Sequence, residues 1–258
     1  MPIHPSAVVH PRARVHAEAD IGPFCIVGEE VEIGARTRLM ANIYLEGPTW
    51  IGEDNLFYPY STVGVASQDL KYAGERAETR IGSRNKIREF VTIHRGTEGG
   101  GLVTFIGDDN LLMAYTHVAH DVHLGGHTVL ANGVTLGGHV TIGDWAVIGA
   151  FTGVHQFCRV GRHAMVGGYS VLTQDVAPYS MTVSPREVKV FGVNRNGLER
   201  RGYSPETIDQ LHKVFRLLGS SKMNTSQAMD QIQAEFPGSA EVAEVVAFFA
   251  ASQRGVIK

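Results

Sequence analysis

"IGPFCIVGEEVEIG", residues 21–34, is the stretch whose reading decides the fold. Ile21, Val27 and Ile33 stand six residues apart, and each is followed by glycine. The same beat runs back to Ile3 and forward to Val63, resumes at Ile81, Ile87 and Ile93, and continues from Ile106 to Leu172. Of the 26 positions on it, 25 are Ile, Val or Leu and the other is Phe57. A helical face recurs every ~3.6 residues and a strand face every ~2, so neither produces a strict six. Hexapeptide repeats mark a parallel β-helix, each unit adding one short strand and one corner. The sequence therefore predicts a mainly β protein with an α tail: a left-handed parallel β-helix of hexapeptide repeats, then a small C-terminal α-helical domain.

Within that fold the aliphatic residue points into the coil. A small side chain four residues later (Ala7, Ala13, Ala19, Cys25, Ala146, Ala164) shares the interior, and the glycine is expected to relieve the backbone at the corner. Three hexads make a coil, and coils stack at ~4.8 Å. Cys25 and Cys158, the only cysteines, both fall at the small interior position, which assigns them to packing. They have neither disulfide-framework nor metal-like spacing and fit a reducing compartment.

Two interruptions break the beat. The eighteen residues from Val63 to Ile81 read as one coil replaced by a loop near 64–80, and the thirteen from Ile93 to Ile106 leave a second loop near 94–105. Long loops leaving a regular solenoid are where binding function concentrates. After about Pro178 the period fails. "YSPETIDQLHKVFRLLG" reads as a helix with Ser204 as N-cap, Pro205 at the first helical position, and Ile208, Leu211, Val214, Phe215 and Leu218 as its apolar face. Thr225 and Ser239 are expected to cap two more helices. The chain divides into a β-helix over 1–191 and a helical domain over 192–258 that closes the solenoid's end.

A net charge of −3 gives no basic field for nucleic acid. No signal peptide and no membrane span are read, so a soluble cytoplasmic protein is expected.

Histidines crowd "THVAHDVHLGGH", residues 116–127. Residues eighteen apart lie one coil above each other, so Val118, Leu136, Val154 and Leu172 stack along one line. His117, His120, His139 and His155 then converge on one edge, within on the order of 10 Å. His123, His127 and His163 belong to a displaced edge and are expected on solvated surface. A triangular solenoid has flat faces and no cleft of its own. A site on its edge needs a second wall, which predicts a homo-oligomer, threefold in symmetry.

The motifs "QDLKYAGE" (68–75), "IREFVTIHRGT" (87–97), "DNLLMAYTHVAHD" (109–121), "GGHVTIGD" (137–144), "GVHQFCRVG" (153–161) and "GLERRGYS" (197–204) run in order along most of the chain. Together they resemble the acyl-carrier-protein–UDP-N-acetylglucosamine O-acyltransferases that open lipid A biosynthesis. The resemblance implies transfer of a 3-hydroxyacyl group from acyl carrier protein to the sugar 3-hydroxyl, in a homotrimer from a Gram-negative-type bacterium. It implies no cofactor beyond the phosphopantetheine that carries the donor, and no metal. By the same resemblance His120 is the general base, Asp121 orients it, and the Gly138 N–H is the oxyanion donor. Gln68, Asp69 and Lys71 contact acyl chain and nucleotide sugar, while His117, His139, His155 and Gln156 wall the site. Gly168 sets acyl length, and Asn194, Arg200 and Arg201 meet nucleotide and phosphate. Lys213, Arg216 and Lys222 are the cations expected to dock an acidic carrier. The chain departs from the family pattern at "VSPREVK" (183–189), where Gly-Asn-His is common and Arg186 is the substitute contact. It departs again at Asn196, where an acidic residue is common.

Three other readings compete. The clustered histidines admit a trimeric β-helix zinc hydratase of the carbonic-anhydrase type. The same fold admits a coenzyme-A-dependent acetyltransferase, and a non-catalytic scaffold is the third.

Overall fold

A computed structural model describes residues 3–183, 188–220 and 223–258. The chain winds as a left-handed, three-sided parallel β-helix. Face one holds nine strands, from Val8–Val9 to Val171–Leu172, and face two holds eight, from Arg14–Val15 to Arg159–Val160. Face three holds ten, from Asp20–Ile21 to a closing antiparallel pair, Ser180–Val183 with Lys189–Val193. Coil-to-coil pairing follows the eighteen-residue beat where no loop intervenes: Val118 aligns with Leu136, Leu136 with Val154, and Val154 with Leu172. From Ile21 to Leu172 the aliphatic column is buried, while Ile3 at its start is exposed and Val9 and Val15 are half-buried. Each large side chain removed from water contributes roughly 1.5–3 kcal/mol. Cys25 and Cys158 are fully buried free thiols, which burial pushes above the usual thiol range.

The small interior position also holds a polar file that counting aliphatics passes over. Thr37, Asn55, Asn85, Asn110 and Thr128 succeed one another in adjacent coils, none more than 2 % exposed. Asn55 Oδ1 accepts from the Asn85 N–H at 2.9 Å, Asn85 Oδ1 from the Asn110 N–H at 2.9 Å, and Asn110 Oδ1 from the Thr128 N–H at 2.7 Å. Each side chain thus satisfies the next coil's buried donor.

Two expectations about the coil are corrected. Glycine does not relieve the corner: the left-handed position falls three residues after the aliphatic one, on Phe24, Arg36, Asp54, Asp121, His139, Trp145 and their equivalents. The glycine directly after the aliphatic residue is needed for closeness instead, since a Cβ on Gly34 would lie 2.6 Å from the Gly52 carbonyl oxygen of the next coil. Nor does the first loop replace a coil. Val63 pairs with Leu45 on face one and Ile81 with Ile51 on face two, so the loop is inserted between neighbouring hexads of one coil. The second loop leaves at the same place, between His94 on face one and Val103 on face two. Both insertions therefore project from the edge between faces one and two.

Helices α1 (Arg195–Arg200), α2 (Pro205–Leu218), α3 (Thr225–Glu235) and α4 (Ala240–Ala250) follow the last strand. Ser204 caps α2 by accepting the Thr207 N–H, with Pro205 at its start, and Ile208, Leu211, Val214, Phe215 and Leu218 are all buried. Ser239 caps α4. The cap of α3 is Asn224, one residue before the expected Thr225, because Asn224 and Gln227 exchange side-chain and backbone hydrogen bonds as a capping box. The helices bury an apolar cluster of their own with Ala177 and Tyr179, and the tail then returns to the prism. Ile257 enters the β-helix core, and the Asp175 carbonyl accepts its N–H at 2.8 Å, covering the last coil. No helix among the described residues is long and apolar enough to cross a membrane.

Candidate active site

The edge between faces one and two carries the chemistry-bearing residues. After the strand His117–Val118 the chain turns at Ala119–His120–Asp121, with Asp121 at the left-handed corner (φ 59°). One coil on, Gly138 and His139 occupy the equivalent corner, and two coils on come His155 and Gln156. His120 Nδ1 lies 2.8 Å from Asp121 Oδ2, and the Asp121 side chain is 1 % exposed. Asp121 Oδ1 accepts the Thr97 N–H at 2.8 Å, and Oδ2 accepts the Thr97 hydroxyl at 2.5 Å. With its lone pairs directed at donors, the carboxylate can hold a ring in one orientation.

The opposite side of the His120 ring faces Gly138, where any Cβ would overlap Cε1 and Nε2. Among the described residues the Gly138 N–H meets no protein acceptor. His139 packs edge-on against His120 with ring centres 5.1 Å apart, and lies stacked on Phe157. His120, Asp121 and His139 also bring ligand-type atoms within 4.8 Å of one another. Both Asp121 oxygens are already engaged by donors, which suits orientation better than metal coordination.

The two loops form the rest of the wall. Gln68, Asp69, Leu70 and Lys71 from the first line an open pocket with His94, His117, His120 and Gln156. Arg95 fixes this loop's base, its Nε donating to the Gly64 carbonyl at 2.7 Å. His117 Nδ1 lies 2.7 Å from Thr92 Oγ1, and burial holds its pKa below the ordinary imidazole value, with His120 adding to the effect. His94 stands within the 87–97 motif, but the sequence reading gives it no role. It is 5 % exposed, edge-on to His117 at 4.9 Å, and burial, then His117 and His120, pulls its pKa down to about 4. The signal that locates it is its place directly after Ile93, the coil neighbour of Val118, a step of twenty-five residues that counting by eighteen misses. His139 is also held low by burial, against the opposing pull of Asp121.

Of the four histidines expected to converge, His117, His120 and His139 do so. His155 is on the same edge but exposed, its Nδ1 3.1 Å from the neighbouring Gln156 carbonyl oxygen. The remaining candidates lie on other edges of the same prism. Gly168 is at the corner between faces three and one, where a Cβ would stand 3.0 Å from the Ala150 carbonyl oxygen. Asn194 is buried and gives its Nδ2–H to the His163 carbonyl at 3.0 Å, at the edge between faces two and three. Arg201 lies over Trp145 on that edge, 4.9 Å from the ring centre, and burial lowers its pKa, while Arg200 beside it is exposed. Arg186 and Lys222 fall outside the described residues.

His123 and His127 are exposed as expected, stacked on Phe105 and Trp145. His163 corrects the expectation of solvated surface. It is 3 % exposed, lies between Trp145 and Tyr179, and has Nε2 3.0 Å from the Tyr203 hydroxyl. The helical domain covers the corner that the hexad count alone leaves open.

Residues 175–257 match the family described as Udp N-acetylglucosamine O-acyltransferase, Domain 2, and residues 104–138 match the bacterial transferase hexapeptide family (six repeats). The chain is 43 % identical over 256 residues to the acyl-[acyl-carrier-protein]–UDP-N-acetylglucosamine O-acyltransferase of Thermodesulfovibrio yellowstonii, covering 99 % of both chains. Among solved structures, UDP-N-acetylglucosamine O-acyltransferase from Moraxella catarrhalis superposes with a TM-score of 0.96 at 40 % identity, covering 100 % of both. The Francisella novicida UDP-N-acetylglucosamine acyltransferase gives 0.96 at 36 %, over 99 % of this chain and 93 % of that one. Sequence and fold agree over nearly the whole length, and the chain belongs to the acyl-[acyl-carrier-protein]–UDP-N-acetylglucosamine O-acyltransferase family.

Proposed function

We propose that this chain transfers a 3-hydroxyacyl group from acyl carrier protein to the 3-hydroxyl of UDP-N-acetylglucosamine, the first step of lipid A biosynthesis, with His120 as general base. The observation that carries the proposal is the His120–Asp121 pair, its free ring nitrogen beside Gly138, on the edge from which both loops project. Asp121 holds the Nδ1–H and leaves Nε2 as the acceptor. As the sugar oxygen attacks the thioester carbonyl, its proton passes to Nε2 and the carbon–oxygen bond forms. Negative charge gathers on the former carbonyl oxygen, where the Gly138 N–H is the donor. The carbon–sulfur bond then breaks, and the departing phosphopantetheine thiolate takes the proton back from His120. The thioester arrives already activated, so the chemistry asks for no covalent enzyme intermediate and no resident cofactor.

The division of candidate residues among three edges supports a homotrimer. Loop residues Gln68, Asp69 and Lys71 share the His120 edge, whereas Gly168, Asn194, Arg200 and Arg201 belong to edges that only a neighbouring copy can bring to it. His155 and Gln156 extend the wall along the acyl path. Lys213 and Arg216 on α2 supply cations for an acidic carrier protein, and Arg200 and Arg201 supply them for the nucleotide phosphates. The test is product analysis by mass, offering carrier-bound 3-hydroxyacyl donors of several lengths with UDP-N-acetylglucosamine or its 3-amino analogue. A 3-O-acylated nucleotide sugar from the carrier-bound donor is expected. Equal rates from acyl-coenzyme A would overturn the carrier assignment.

A further inference from the structure

We propose that Thr97 is a positioning residue of the acyl transfer, presenting its N–H and its hydroxyl to one carboxylate so that Asp121 stays aligned with His120. This rests on the reading of His120 as the base. Thr97 is 5 % exposed and gives both donors to Asp121, the N–H to Oδ1 at 2.8 Å and the hydroxyl to Oδ2 at 2.5 Å. Oδ2 is the oxygen that also faces His120 Nδ1. A carboxylate holding one imidazole alone is free to turn about its broad terminal torsion, and two donors from a single buried residue remove that freedom.

Gly96, Gly100 and Gly101 of "RGTEGGG" (95–101) belong to the same device. A Cβ on Gly100 would run into the Asp121 carboxyl carbon, and one on Gly96 would lie 2.9 Å from Oδ1. The turn Glu98–Gly100, closed by Gly101 at φ 89°, therefore wraps the carboxylate with backbone alone. Behind it, Thr104 Oγ1 accepts the Asp121 N–H at 2.8 Å. The turn is also tied to the substrate loop, because Glu75 Oε1 accepts the Glu98 N–H at 3.1 Å.

The hydroxyl and the imidazole share Oδ2, so removing the hydroxyl leaves more of the carboxylate charge for an imidazolium. The other titratable groups facing this pair are His94, His117, His139, Asp69 and Lys71, and a Thr97 substitution deletes none of them. The test compares Thr97→Val, Thr97→Ala and Thr97→Ser in the full chain, with His120→Ala alongside, reading kcat, KM and the pH profile after a melting check. Thr97→Ala covers the case in which the valine branch prevents folding. Thr97→Val and Thr97→Ala are expected to lower kcat by about tenfold with KM nearly unchanged. They should raise the ascending limb of kcat against pH by about half a unit, and Thr97→Ser should restore both. Wild-type kcat and limb in the valine and alanine variants overturn the proposal, as does lost kcat with an unmoved limb. An active His120→Ala overturns instead the reading of the base.

Discussion

At the scale of single residues, the site is an arrangement of close approaches that leave little room for side chains. Gly138 has the His120 ring where a Cβ would be. Gly138→Ala is expected to displace the ring and lower kcat by about 100-fold, since small misplacements of reacting groups are that costly. Gly138 is itself buried, so a melting curve is needed to separate a displaced ring from a weakened fold, and a folded variant with reduced kcat is expected. Steady-state kinetics with a melting curve checks both, and full activity would detach Gly138 from the base. His120, His117 and His139 were legible in the sequence because an eighteen-residue step is arithmetic. Thr97 and His94 were not, because Thr97 lies inside the second insertion and His94 at its start, where the irregular length breaks the count. His163 was misread because nothing in the hexad beat says which corner the helices cover.

At the scale of elements, the corners form ladders. Between faces two and three the file begins with charge: Arg36 pairs with Glu18 and Asp54, Arg84 pairs with Asp109, and the hydrogen bonds to Asp54 and Asp109 raise the two arginine pKa values. It continues as stacked rings, His127, Trp145, His163 and Tyr179. His163 ties this file to the helical domain, and burial, then Arg162 and Arg201, holds its pKa at about 4 against an ordinary 6.5. The folded chain therefore refuses a proton that the unfolded chain accepts. This stability is fully present above pH 6.5 and is lost as the pH falls toward 4, and His94 acts in the same window. Melting temperatures across that range are expected to fall steeply in the wild type. In His163→Phe, which keeps a ring between Trp145 and Tyr179 but cannot protonate, the fall should be shallower. Parallel curves would remove His163 from the acid response. The aliphatic column and the face of α2 were legible because both are strict periods. The asparagine file shared the period but not the polarity, so a count of apolar residues passed over it.

At the scale of the whole molecule, both insertions and the histidine corner share one edge, and the pocket lined there by the first loop and the histidines is open. The six-residue beat gave this architecture directly from the sequence. It could not give the partition of the candidates among three edges, because that depends on which face each loop leaves and where the helical domain docks. In the proposed trimer, His120 of one copy shares a site with Arg200 of another, and complementation tests this: co-express His120→Ala and Arg200→Ala chains, purify the mixed assemblies, and assay them at limiting nucleotide sugar against each parent variant alone. Random mixing in a trimer should restore about a quarter of the wild-type sites, well above either parent. Mixed assemblies no more active than the parents would place both residues in sites made by a single chain.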